Sequence, residues 1–68
     1  HPEFFHTEAF LKYHLVLHYL AGAPATKAEL LEALRVARES IRRALDIYAP
    51  VRYQKLKREI DILSARIR

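Results

Sequence analysis

The stretch from Thr26 to Tyr48, TKAELLEALRVARESIRRALDIY, constrains this chain more than any other part of it. It reads as two short amphipathic helical patterns separated by a brief break, the second loaded with arginine. In the first, Thr26 and Glu29 form a T-x-x-E capping box at the helix start, and Leu30, Leu31 and Leu34 supply the buried face. Val36 falls in the break, where it is expected to plug the core. The second pattern runs from about Ala37 or Arg38 to Ala49, with Ile41, Ala44, Leu45 and Tyr48 turned inward, and Pro50 ends it. Two such helices joined by a tight turn predict one bracing helix and one that presents side chains outward.

The flanking segments also read as helices. Thr7 can cap a helix running to about Ala21, with Glu8 in its first turn near the positive end of the dipole. Phe10, Tyr13, Val16, Leu17 and Leu20 form its apolar stripe. Leu11, Leu15 and Tyr19 widen that stripe, leaving Lys12, His14 and His18 as the polar face. A helix this apolar is too greasy for a single neighbour. It should be the central strut of the core, or share a second interface. Ala21-Gly22-Ala23-Pro24 stops it, glycine taking a left-handed conformation and proline blocking continuation. After Pro50, Tyr53, Leu56, Ile60, Leu63 and Ile67 step by 3, 4, 3 and 4, an a/d seam that favours helix over strand. Two heptads are too short for a free-standing coiled coil, so the seam packs on its own domain or on a second copy.

With 68 residues the chain is one small domain, near the lower limit for a self-sufficient core. It has no cysteine, so neither disulfides nor thiolate zinc can reinforce it. No apolar run reaches the roughly 18 residues a membrane span needs. HPEFFH has no basic n-region or apolar h-region, so no signal peptide is expected and a cytoplasmic setting is the default. The chain starts without methionine, as a processed or excised piece of a longer one would.

Charge is uneven within the net +4. Residues 1 to 34 set Lys12 and Lys27 against Glu3, Glu8, Glu29 and Glu32. Residues 35 to 58 set Arg35, Arg38, Arg42, Arg43, Arg52, Lys55, Lys57 and Arg58 against only Glu39 and Asp46. Such a positive block has two readings, an anionic partner or a solvated helix face held by i,i+4 pairs such as Arg35–Glu39 and Arg42–Asp46.

The segment ATKAELLEALRVARESIRRAL resembles the helix-turn-helix of bacterial winged-helix and related repressors, the GntR-type regulators in particular. The matching positions are Thr26, Glu29, Leu30, Leu34, Val36, Arg38, Ser40, Ile41, Arg42, Ala44 and Leu45. Arg35 stands where those regulators have a turn glycine, and Ala37 replaces the serine that caps their recognition helix. Nothing after Pro50 resembles their two-stranded wing. The resemblance implies an all-α fold, a three-helix helix-turn-helix core over residues 1 to 50 with a C-terminal packing or dimerisation helix over 51 to 68. It implies a small transcriptional regulator that binds double-stranded DNA in a sequence-specific manner as a homodimer. Arg38, Glu39, Ser40 and Arg42 would lie nearest the bases, with Arg35, Arg43, Lys55 and Lys57 on phosphates. Tyr53, Leu56, Ile60, Leu63 and Ile67 would pair the two copies. The alternative is a helical protein-interaction or assembly module, natural or designed, that binds no nucleic acid.

Neither catalysis nor a cofactor is expected. The chain lacks a glycine-rich phosphate loop, and neither Ser40 nor Ser64 has an evident histidine–acid partner. His14 and His18, at i,i+4, could hold two corners of a metal site. Such a site needs a third or fourth ligand, and the polar face of the first helix accounts for the pair.

Overall fold

The computed structural model describes residues 1–67, which form three helices: α1 (Pro2–Leu20), α2 (Lys27–Ile47) and α3 (Val51–Ile67). The all-α expectation holds, but the number and limits of the helices differ from the sequence reading. α1 begins five residues earlier than Thr7. Pro2 sits at the start, where its missing N–H costs nothing, and the His1 imidazole Nδ1 accepts from the Glu3 N–H at 3.2 Å. The helix closes at Ala21, and Gly22 follows with φ of +142°. That is a region reserved for glycine, though not the left-handed helical one expected.

α2 is the main departure. It runs without interruption through Arg35, Val36 and Ala37, where a turn was expected between two helices. Three physical causes converge there. Arginine and alanine are strong helix formers, no residue other than glycine has a positive φ among the described residues, and the buried face is continuous. Leu30, Leu34, Ala37, Ile41 and Ala44 step by 4, 3, 4 and 3 and are all buried. Splitting the helix at Val36 would break that seam in its middle. Arg35 also reaches Glu32 on one side and Glu39 on the other, at i,i+3 and i,i+4, contacts that only a continuous helix makes.

Thr26 caps α2 as expected: its Oγ1 accepts from the Glu29 N–H at 3.1 Å. The carboxylate of Glu29 returns to the threonine hydroxyl at 3.1 Å. At the other end Tyr48 is extended, and the Pro50 carbonyl accepts from the N–H groups of Tyr53 and Gln54 to open α3.

At about 1.5 Å per residue, α2 spans most of the 34 Å long axis of the molecule. α1 and α3 both lie along it and touch each other little. The central strut is therefore α2, not the first helix. The core holds Ala9 and Val16 from α1, the five-residue seam of α2, and Tyr53, Leu56, Ile60 and Leu63 from α3. The a/d seam of α3 is used within the chain, and Ile67 packs at its end. The residues expected to pair two copies are thus core residues and are not available to a partner.

Candidate interaction surface

The exposed face of α2 carries Glu32, Arg35, Glu39, Arg42, Arg43 and Asp46, three acids and three bases. Arg35 bridges Glu32 at 2.7 Å and Glu39 at 3.3 Å, and Arg43 meets the other oxygen of Glu39 at 3.1 Å. The hydrogen bond and the charge of Arg35 hold the Glu32 carboxyl below its ordinary pKa, and Glu32 raises that of Arg35 in turn. This is a charge-balanced solvent face rather than a positive one.

The residues expected to read bases are dispersed. Ser40 is 6% exposed and lies in the core seam instead of facing solvent. Arg38 turns toward α3, its Nε 3.2 Å from Asp61, whose other oxygen accepts from Lys57 at 2.8 Å. Arg38 thus fastens α2 to α3, while Lys57 is held to Asp61 within α3. Glu39 is occupied by two arginines, and Arg43 also lies over the Phe5 ring, 5.9 Å from its centroid. Only Arg42 and Lys55 of the expected set are exposed and outside any ion pair among the described residues. A reading helix needs its N-terminal side chains aimed together into a groove. With no turn at Val36 there is no such N-terminus, and these side chains point to different parts of the molecule.

The junction between α1 and α3 is aromatic. The His6 ring stacks on Tyr53 with centroids 4.4 Å apart, and the Glu3–Arg52 ion pair closes the end of this contact. Burial pushes the His6 pKa below its ordinary value, more than offsetting the opposing effect of Glu3. Burial likewise pushes the Tyr53 phenol up. Its hydroxyl is enclosed without a hydrogen-bond partner among the described residues.

The histidine pair of α1 does not converge with further ligands. His14 packs on Phe10, centroids 4.3 Å apart, and His18 beside Tyr19. No group of three histidine, cysteine or acidic side chains suited to a metal occurs among the described residues.

The feature that does stand out lies on the far side of α1. Ala9 and Val16 face α2, with Phe5, Tyr13, Leu17 and Tyr19 packed around them. The opposite face presents Phe4 (66% exposed), Leu11 (62%) and Leu15 (39%) at positions i, i+7 and i+11. Thr7 and His14 lie between them, His18 continues the row and exposed Phe10 flanks it, whereas Leu20, also exposed, is the last residue of α1 and lies on the side of Ala9 and Val16. Phe10 and Leu20 were expected inside with Tyr13, Val16 and Leu17, but the buried side of α1 centres on Ala9 and Val16, which leaves Phe10 at its edge, and Leu20 is exposed at the end of the helix. The concavity between Phe4 and Leu11 is floored by Thr7 and edged by Glu3 and Glu8. With a full side-chain area of about 200 Å² for phenylalanine and somewhat less for leucine, Phe4, Phe10, Leu11 and Leu15 expose on the order of 400 Å². That is within the range of about 300–600 Å² for the largest apolar patch of a soluble monomer, a patch that often serves a function.

α1 thus carries apolar side chains on its outward as well as its covered side, whereas the polar and apolar residues of α2 separate cleanly between its faces. Among the described residues, no helix is long and apolar enough to cross a membrane. Comparison with known protein families, curated proteins and solved structures finds no match to this chain.

Proposed function

We propose that this chain is a helical assembly module, which docks a protein partner on the outward face of α1. The single observation that carries the reading is the exposed Phe4–Leu11–Leu15 row on the side of α1 turned away from α2. Contiguous exposed apolar surface on a small domain is a usual mark of a protein–protein contact. Helix-on-helix docking through side chains at i, i+7 and i+11 uses the same ridge geometry that builds helical bundles.

The test is the double variant Leu11→Glu, Leu15→Glu. Both side chains project from the fold, so the variant should keep its helical circular dichroism and its melting temperature. It should lose the binding of 8-anilinonaphthalene-1-sulfonate that the free wild-type face supports. A variant that unfolds would make this row core, and the reading would be wrong.

A second reading, duplex DNA binding, draws on Arg42, Lys55 and Arg58, which are exposed and outside any ion pair among the described residues. Cations of this kind contact phosphates, giving affinity that falls with salt and ignores sequence. Fluorescence anisotropy with a random-sequence duplex at two salt concentrations decides it. Binding that vanishes at high salt and drops with Arg42→Ala would support this second reading over the first.

A further inference from the structure

Resting on the assembly reading, we infer that the partner on the outward face of α1 is a second copy of this chain, docked antiparallel about a two-fold axis near Leu11. Two observations select this occupant. The first is area. A stable interface buries about 800 Å² per partner; Phe4, Phe10, Leu11 and Leu15 supply on the order of 400 Å² of it, and Thr7, Glu8, His14 and His18 lie where the rest is needed. A two-fold contact requires one self-complementary patch, and this row is self-complementary. Leu11 meets Leu11 on the axis, and Phe4 of each copy falls on Leu15 and His18 of the other.

The second observation is charge. Glu8 and Lys12 sit on the same flank of the row, a helical turn apart, and neither is in an ion pair among the described residues. An antiparallel two-fold brings the same flank of the two helices together with their heights reversed. Glu8 of each copy then lies beside Lys12 of the other, giving two symmetric pairs. A parallel two-fold brings opposite flanks together, and Glu8 and Lys12 face Thr7 and Phe10 with no partner. The arrangement of these two charges therefore picks the orientation, the use that flanking charges have in helix pairs generally.

Sedimentation equilibrium of the full chain is the deciding measurement. The wild type should show a monomer–dimer equilibrium with a dissociation constant in the micromolar range, about 10 μM for a contact of this modest size. Leu11→Glu sets two carboxylates on the axis and should weaken the dimer by at least about 100-fold. Its helicity and melting temperature, measured at a dilution where the wild type is monomeric, should not change. Glu8→Lys opposes like charges twice and should weaken the dimer about tenfold, and adding Lys12→Glu should restore it to within about twofold. A dimer indifferent to Leu11→Glu overturns the site, and a double swap that fails to restore overturns the orientation. A wild type that stays monomeric to about 1 mM overturns the second copy as occupant. In that case dye binding abolished by Leu11→Glu would leave the assembly reading standing, whereas a monomer without dye binding removes both.

Discussion

Ala37→Ser separates the continuous helix from a helix-turn-helix by the sign of its effect. In the repressors that the segment resembles, this position caps the recognition helix. Serine there would add a hydrogen bond to an unpaired N–H, stabilising the fold by about 1 kcal/mol. In the structure Ala37 is fully buried at the centre of α2, between Leu34 and Ile41 on the seam. Its N–H is already engaged within the helix, so serine has no cap to make. It instead lowers helix propensity by roughly half a kcal/mol. It also places a hydroxyl in the core, where the only ready acceptor is the carbonyl one turn back, at Ala33. A buried hydroxyl so partnered costs about 1 kcal/mol more. The expected loss is about 1–2 kcal/mol, and for a domain this small the melting temperature should fall by roughly 5–15 °C. Thermal unfolding followed at 222 nm, with urea unfolding to confirm an unchanged slope, measures it. A melting temperature that stays level or rises would refute the continuous helix and return the turn to Val36.

Three further outcomes follow from other parts of the molecule. Gly22→Ala should lower stability by about 1–3 kcal/mol in urea unfolding through backbone conformation alone, because φ is +142° while an added Cβ meets nothing within 4 Å. Tyr53→Phe should leave stability unchanged or raise it by up to about 1 kcal/mol in the same assay, since the hydroxyl removed is buried without a partner among the described residues; a loss above that would reveal a bond to the Glu3–Arg52 pair. The folded-state pKa of His6 lies below its ordinary 6.5, so between the two values the unfolded chain binds more protons and stability falls as pH drops below about 6.5. His6→Phe keeps a ring on Tyr53, and it should flatten the stability-versus-pH curve there relative to wild type; an unchanged slope would clear His6 of that role.

Much of the fold is readable from spacing. Tyr53, Leu56, Ile60 and Leu63 form the buried seam of α3 at the positions their 3-4 alternation marks, and Thr26 caps α2 through Glu29. The Val36 break reads from two separate apolar patterns and from the resemblance to helix-turn-helix repressors, although Arg35 and Ala37 stand where those have a turn glycine and a capping serine. The seam through Leu34, Ala37 and Ile41 is regular across that point, and its alanines, Ala37 and Ala44, are small: Ala44 reads as inward from spacing, whereas Ala37 falls beside the break. They are small because α1 and α3 both lie against α2 and leave little room. Ser40 reads as a solvent-facing, base-contacting residue for a similar reason, since a serine amid charged neighbours looks exposed until the partner helices are in place. The start of α1 is hard to read because HPEFFH resembles a loose terminus, although Pro2 followed by Glu3 is a favourable helix opening. That shift of five residues moved Phe4 onto the outward row.

The surplus of apolar side chains on α1 follows from the size of the domain. A chain of about 60 to 70 residues encloses only about 60% of the surface its unfolded form exposes, and here the enclosed share is taken up by the two sides of α2. Alanines at 37 and 44 let the outer helices approach, and α3 seals its own row completely enough that Ile60 and Tyr53 are fully buried. α1 meets α2 along one side and has no second helix to cover the other, because α3 occupies a different flank of the strut. Phe4, Leu11 and Leu15 are therefore not core residues displaced by imperfect packing: no rotation of α1 could bury them without exposing Ala9, Val16 and Tyr13 in exchange. Surface left open by such geometry is removed only by something outside these three helices. Polar substitutions at Leu11 and Leu15 should accordingly change association while leaving the monomer's unfolding free energy within about 0.5 kcal/mol of wild type. Destabilisation by several kcal/mol, as for truncation of a true core leucine, would show that the outward row is packed within its own chain.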